Sequence, residues 1–208
     1  MNVVLFVGSP RVPSNTRSIV AGLRARLEAA DSSVVTLDPK RGDEAADAFL
    51  SESIAALRCA DAVVIAAPVY LDLPPHRTLA WLHGLLERRE ALDGSARSVY
   101  AISHSGYFEP IHKAVSLRAL RHFCQRMGWT WRGGLAFGGT SPIDGRRLEE
   151  AGPFSRRVRP ALDALADVVI GERDIPQDVI VRAGRSPIPL PRFLIVWLMN
   201  QMLKRRSL

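Results

Sequence analysis

Cysteine is scarce in this 208-residue chain, which contains only Cys59 and Cys124. The two thiols lie far apart in the sequence, and neither belongs to a Cys-x-x-Cys pair. Iron–sulfur clusters, zinc sites and disulfide frameworks all need more cysteines or closer spacing. The sequence therefore argues against these three classes of site, and the cytoplasm is the expected compartment.

Acidic residues are absent after Asp178, whereas the same stretch contains six basic residues. This stretch accounts for most of the formal net charge of +7, because the remaining 22 basic residues face 21 acidic ones. A domain that binds nucleic acid carries its basic surface over the domain itself. A nucleic-acid partner is therefore not expected.

Long hydrophobic runs are missing as well. Met1-Asn2 leads straight into the apolar residues 3–7 with no basic region or cleavage site, which predicts a strand and not an export signal. The apolar segment from Leu190 to Leu203 is shorter than the roughly 20 residues that span a bilayer, and Lys204-Arg205-Arg206 follows it. A helix there is apolar on nearly all sides, which favours packing on the same chain or across a homodimer interface. Contact with a membrane surface stays as the alternative.

Apolar runs typical of buried strands alternate along the chain with runs of helical period. Strands are predicted over 2–8, 33–37, 62–67, 98–103 and within 130–137, and helices over 16–29, through 49–57, from 74 or 75 to 90, from Pro110 to just before Gly128, and over 154–170. This alternation indicates right-handed crossovers and a parallel sheet covered on both faces. The predicted fold class is α/β, a doubly wound five-stranded parallel sheet in the order 2-1-3-4-5 with a C-terminal helical extension. Residues 1–178 form the predicted domain, and residues 179–208 form the basic, apolar extension.

The loop after the first predicted strand is rich in hydroxyl groups and leads directly into a helix. The start of a helix offers unpaired N–H groups and the positive end of a dipole, which suit a phosphate dianion. The loop lacks both Gly-x-Gly-x-x-Gly and Gly-Lys-Ser/Thr, so a terminal monophosphate is favoured over a pyrophosphate. The candidate donors are Ser9, Arg11, Ser14, Asn15 and Thr16. The alternative is that Ser14 or Asn15 only caps the helix.

Two further loops follow the third and fourth predicted strands, so all three converge on the crevice at the switch between strands 1 and 3. Tyr70 offers an aromatic face or edge to a planar ring, and Gly106 permits close backbone approach. His104 is interpreted as structural, since no catalytic partner is visible for it. The candidate ring-binding residues are Pro68, Val69, Tyr70, Leu71, Ser105, Gly106 and Tyr107.

The motifs Gly8-Ser9-Pro10-Arg11, Ser14-Asn15-Thr16 and Pro68-Val69-Tyr70 with Pro74 resemble the NAD(P)H-dependent FMN reductase group of flavodoxin-like proteins. Met127-Gly128-Trp129 and the paired glycines 133–134 and 138–139 are also similar, so the resemblance covers about residues 1–140. It implies FMN as the cofactor, with the phosphate on the first loop and the isoalloxazine between the other two. It also implies hydride transfer from NADH or NADPH, with no side chain needed as catalytic acid or base.

The resulting prediction is an FMN-dependent oxidoreductase that passes electrons to a small acceptor, such as a quinone or another electrophile. An FMN-binding electron carrier without its own nicotinamide oxidation is the first alternative. A flavodoxin-shaped interaction module that has lost its flavin is the second. The near-neutral body favours the enzyme over the carrier, because carriers that dock basic partners present acidic surfaces.

Overall fold

The computed structural model describes residues 1–39, 46–92, 97–108 and 111–185. Strands and helices alternate along these residues. They are β1 (Asn2–Val7), α1 (Asn15–Ala29), β2 (Ser33–Leu37), α2 (Ala46–Arg58), β3 (Ala62–Pro68), α3 (His76–Glu87), β4 (Ser98–His104), α4 (Ile111–Met127), β5 (Thr130–Phe137), α5 (Val158–Ile170) and α6 (Gln177–Gly184).

The five strands form one sheet in the order β2-β1-β3-β4-β5, and every neighbouring pair is parallel. The predicted fold class and strand order are confirmed. The connection that follows β1 runs on one face of the sheet, and the connection that follows β3 runs on the other. The carboxyl ends of these two strands therefore open a crevice between them. In the register, Val7 lies beside Ala66 and Pro68 beside His104, which brings the ends of β1, β3 and β4 to one edge.

Continuous burial of the central strands follows from helices on both faces of the sheet. β3 and β4 are buried at every residue, whereas β2 at the sheet edge alternates between exposed and partly buried positions before the buried Leu37. One hydrophobic cluster packs α1, α5 and α6 on one face, and a second packs α2, α3 and α4 on the other. Parallel strands that are covered on both faces appear in the sequence as unbroken apolar runs, which is why their positions could be predicted closely.

Three helical regions differ from the sequence prediction. α3 ends at Glu87, and a short 3₁₀ turn over Arg89–Leu92 completes the predicted span. α5 begins at Val158 because residues 152–155 form a separate 3₁₀ turn that contains Pro153. α6 was not predicted, since only Val179 and Ala183 of its eight residues are fully buried.

The predicted helix start at Pro110 and the apolar segment from Leu190 to Leu203 lie outside the described residues. Within the described ranges, no helix has both the length and the apolar character needed to cross a membrane.

Candidate cofactor site

A cavity of about 320 Å³ lies at the crevice between the carboxyl ends of β1 and β3. This volume falls at the small end of the range for pockets that hold ligands. Ten of the twelve predicted site residues line it: Ser9, Arg11, Ser14, Asn15, Thr16, Pro68, Val69, Tyr70, Ser105 and Gly106. Leu71 and Tyr107 do not line the cavity, and both are exposed.

The start of α1 forms one end of this cavity. Ser14 is the N-cap residue, and its Oγ accepts a hydrogen bond from the Arg17 N–H at 3.3 Å. The N–H groups of Asn15 and Thr16 precede any helical acceptor, so they are available to an anion. Hydroxyls, backbone N–H groups and the Arg11 guanidinium form a donor set that suits a phosphate, and Asp144 is the single acidic residue among the described lining residues.

Two of the predicted phosphate donors use their side chains inside the protein. The Asn15 side-chain amide donates to the Thr140 carbonyl at 2.7 Å, and its Oδ1 accepts from the Gly145 N–H at 2.8 Å. Thr16 Oγ1 is fully buried and lies 2.7 Å from His104 Nε2. Both residues therefore shape the cavity with their side chains and offer only backbone N–H groups to a phosphate.

Arg17 organises the first loop, and the sequence reasoning missed it. Its guanidinium binds both carboxylate oxygens of Asp38 at 2.7 and 2.5 Å and also donates to the carbonyls of Ser9 and Arg11. A cation in the first turn of a helix is opposed by the helix dipole. The position of Arg17 in the first turn of a predicted helix could therefore have indicated, from the sequence alone, that this arginine has a specific partner.

His104 lies buried between two threonines at the end of β4. Its Nδ1 is 3.2 Å from Thr140 Oγ1, opposite the Thr16 contact. Burial, and then the charge of Lys113, lower the pKa of His104 to about 4. The ring is neutral at physiological pH and links β4 to α1 and to the segment after β5, which agrees with the structural interpretation made from the sequence.

The loop after β3 forms a tight turn at the cavity rim. Tyr70 and Leu73 exchange backbone hydrogen bonds at 2.9 and 3.3 Å, and Leu71 and Asp72 between them have positive φ angles of 49° and 69°. The turn directs Leu71 outward, with 95% of the residue exposed, while Tyr70 stays at the rim. Asp72 Oδ1 lies 2.8 Å from His112 Nδ1, so the turn is also linked to α4.

The segment after β5 also lines the cavity, and the sequence did not indicate it. Its lining residues are Thr140, Ser141, Asp144 and Gly145. A Cβ on Gly106 would lie 2.5 Å from Ser141 Oγ, so a larger residue at this position would require the Ser141 side chain to move. The usable signal was that β5 is parallel to the other strands, and the loop after it therefore reaches the same edge.

Among the residues that the structure describes, no group of three or more His, Cys, Asp or Glu side chains is arranged to hold a metal ion. Cys124 is buried and Cys59 is exposed.

Residues 1–75 match the model of a family described as NADPH-dependent FMN reductase, which confirms the resemblance predicted from the sequence. The description names FMN and NADPH, so FMN as cofactor and a nicotinamide-dependent oxidoreductase are confirmed at the level of the family. No curated protein matches the chain significantly.

Solved structures with the same fold include an NADH:FMN oxidoreductase, at 19% identity and a TM-score of 0.62 over 92% of this chain and 98% of that one. A WrbA-like flavodoxin from Agrobacterium tumefaciens aligns at 13% identity with a TM-score of 0.56, over 83% of this chain and 98% of its own. An azoreductase from Bacillus anthracis aligns at 12% identity with a TM-score of 0.51, over 78% and 99%. At these identities the likeness establishes the flavodoxin-like fold.

Proposed function

Because the first 75 residues match the NADPH-dependent FMN reductase family, we propose that this protein is an FMN-dependent oxidoreductase that takes hydride from NADH or NADPH. It passes the electrons to a small acceptor such as a quinone or another electrophile. The observation that carries this proposal is the cavity at the switch between β1 and β3, which the start of α1 and the loops after β3 and β4 enclose.

The two ends of the cavity suit the two ends of FMN. The phosphate would bind the N–H groups of Asn15 and Thr16, the hydroxyls of Ser9 and Ser14, and the Arg11 guanidinium. The ring would lie between the residues from Pro68 to Leu71 and the loop from Ser105 to Tyr107. Gly106 permits the backbone of that loop to approach the ring closely. Leu71 and Tyr107, which lie outside the cavity walls, would border its entrance.

The flavin supplies hydride chemistry when bound, and the protein contributes binding, orientation and electrostatics. His104 supports this division of roles, because it is buried, neutral and bonded to two threonines. It has no free proton to deliver to a substrate at neutral pH. The half-exposed Tyr70 at the rim leaves the nicotinamide and the acceptor a route from solvent.

The protein also has a surface suited to a homodimer. Leu71, Tyr107 and Ile111 are 95%, 59% and 72% exposed. The Tyr107 and His112 rings lie 5.5 Å apart, and His112 contacts Asp72, so the three exposed side chains belong to one region beside the cavity. Exposed apolar groups gathered in this way favour association between copies.

Steady-state oxidation of NADH and NADPH by the FMN-reconstituted protein, with a soluble quinone as acceptor, tests the proposal. Turnover above that of free FMN with at least one nicotinamide is expected. Tight FMN binding without nicotinamide oxidation would instead identify the electron carrier. Failure to bind FMN would favour the interaction module.

A further inference from the structure

A second pocket lies between α5 and α6, apart from the cofactor cavity. Its volume is about 470 Å³, which suits a small-molecule ligand, and none of its described lining residues lines the cofactor cavity. Both helices contribute small apolar side chains to it, which are Pro160, Ala161, Ala164, Val179 and Ala183. This part of the pocket wall therefore favours an apolar group.

The other described residues of this pocket are four arginines, and we call it the arginine pocket. Arg156 and Arg157 lie at the start of α5, and Arg182 and Arg185 lie at the end of α6. Arg182 pairs with the exposed Asp178 at 2.7 Å, whereas the other three arginines have no carboxylate partner in the part of the chain that the structure describes. The sequence after Arg185 adds four basic residues and no acidic side chain, so it does not balance their charge.

Arg157 is the arginine of this pocket that is held most firmly. Its guanidinium donates to the Gly138 carbonyl at 3.0 Å and to the Ala183 carbonyl at 3.4 Å, and burial lowers its pKa from the usual value. An arginine has five N–H donors, so donors remain for an acceptor from outside the protein. A partly buried guanidinium is costly without a counter-charge, and an anion in the arginine pocket would supply that charge.

The composition of the arginine pocket points to a ligand with two different parts. A phosphate has enough acceptor oxygens for guanidinium groups that come from two helices, whereas a carboxylate has only two oxygens. An apolar chain or ring would cover the alanine and valine side chains and remove their surface from water. A bare anion would leave this apolar wall uncovered, and a neutral apolar molecule would leave the arginines without a counter-charge.

We propose that the arginine pocket binds an amphiphile with a phosphate headgroup, with the phosphate among the four arginines and the apolar part against the small side chains of α5 and α6. The pocket is separate from the cofactor cavity, so this inference goes beyond the proposed function and does not depend on FMN.

Isothermal titration of monomeric octyl phosphate into the protein tests this site. An excess of FMN is present throughout, so that the probe does not occupy the cofactor cavity. Octyl phosphate should bind saturably, whereas inorganic phosphate and 1-octanol, which each carry one half of the probe, should bind at least about tenfold more weakly.

Two variants remove charge from the arginine pocket, and a third is their matched control. The side chains of Arg156 and Arg185 make no hydrogen bond within the described residues, so Arg156→Gln and Arg185→Gln should fold normally. Each should weaken octyl phosphate binding about tenfold, the effect of losing one hydrogen bond to a charged group. Arg159→Gln removes an exposed arginine of α5 that does not line the pocket, and it should bind like the wild type. All three variants should bind FMN as the wild type does.

Sedimentation with vesicles distinguishes the two sources of such a headgroup. Binding of octyl phosphate without binding to phosphatidylglycerol vesicles would identify a free amphiphile as the ligand. Binding to phosphatidylglycerol but not phosphatidylcholine vesicles, reduced in Arg156→Gln and kept in Arg159→Gln, would identify a phospholipid headgroup. A wild-type protein that binds neither probe, or equal binding by Arg156→Gln, Arg185→Gln and Arg159→Gln, would overturn the inference and leave the proposed function intact.

Discussion

Arg11 carries the one guanidinium among the described residues that line the cavity. If it contacts the phosphate of FMN, then Arg11→Ala should weaken FMN binding by about 10- to 100-fold, because a hydrogen bond to a charged group contributes about 1.5–3 kcal/mol. Riboflavin, which lacks the phosphate, should bind the variant and the wild type equally. Fluorescence titration with both flavins measures the two affinities.

The matched control for Arg11 is Arg24→Ala, which removes an exposed arginine that pairs with Glu28 on the outer side of α1. Its affinity for FMN should stay at the wild-type value. Equal losses of FMN and riboflavin affinity in Arg11→Ala would show that Arg11 acts on the ring site or on folding and not on the phosphate.

His104 makes the stability of the protein depend on pH in a defined window. Its pKa is about 4 in the folded state, against 6.5 for an unperturbed histidine. Between these values the unfolded chain binds a proton that the folded protein does not, so stability falls as the pH drops from about 6.5 to about 4. The loss attributable to this residue is up to about 3 kcal/mol.

Urea unfolding at pH 7 and pH 5 checks this prediction in the wild type and in His104→Gln. The glutamine variant should lose less stability than the wild type over the same pH interval, since its side chain does not titrate. Equal losses in the two proteins would mean that His104 is protonated in the folded state or is not buried.

At the level of elements, the Arg17–Asp38 ion pair connects the first turn of α1 to the residue after β2. The same guanidinium holds the loop between β1 and α1 through backbone carbonyls. Asp38→Asn should therefore release the loop and weaken FMN binding several-fold to tenfold. The effect on unfolding should be small, because the pair is partly exposed and such pairs contribute about 0–1 kcal/mol.

Isothermal titration of FMN into Asp38→Asn provides the measurement, and Glu28→Gln, which breaks an exposed pair on the same helix, is the control. Loss of FMN affinity in both variants alike would argue for a general effect of charge. Unchanged affinity in Asp38→Asn would show that the loop keeps its shape without the pair.

How much of the site the sequence predicts depends on the kind of contact. Ser14 is recognisable as a helix cap because its partner, Arg17, lies three residues away. Asn15 and Thr16 resemble phosphate ligands because they lie at the start of a helix. Their side chains, however, bond to residues far along the chain, which are Thr140, Gly145 and His104. Single-sequence patterns carry no record of such long-range partners.

Strands and helices also differ in how well the sequence predicts them. Buried parallel strands are continuous apolar runs, so β2, β3 and β4 were located within about a residue. α6 has only eight residues, about two turns, which is too short a run for a helical pattern to be distinguished from a loop in the sequence. The segment after β5 has no strand or helix pattern and was overlooked for that reason, although it also lines the cavity.

For the whole molecule, the order of the strands determines where a ligand binds, and that order was predicted from alternation and right-handed crossovers. What covers the cavity from outside is a separate question. The predicted homodimer would bury the exposed residues Leu71, Tyr107 and Ile111.

Sedimentation velocity tests the dimer. The wild type should sediment as a dimer at micromolar concentration, and Ile111→Glu should shift it toward the monomer, because burying an unpaired carboxylate is unfavourable. Val181→Glu, at a half-exposed position on α6, is the matched control and should remain dimeric. A wild-type monomer, or equal effects of both substitutions, would contradict the proposed interface.

The central claim is that the cavity at the switch between β1 and β3 binds FMN and allows a nicotinamide to reduce it. The most direct measurement is the visible absorption spectrum of the purified protein after addition of FMN and gel filtration, followed by anaerobic addition of NADH or NADPH. We predict flavin absorption that elutes with the protein and is bleached by at least one nicotinamide, and a much weaker signal in Arg11→Ala. A wild-type protein that elutes without flavin from excess FMN would contradict the claim.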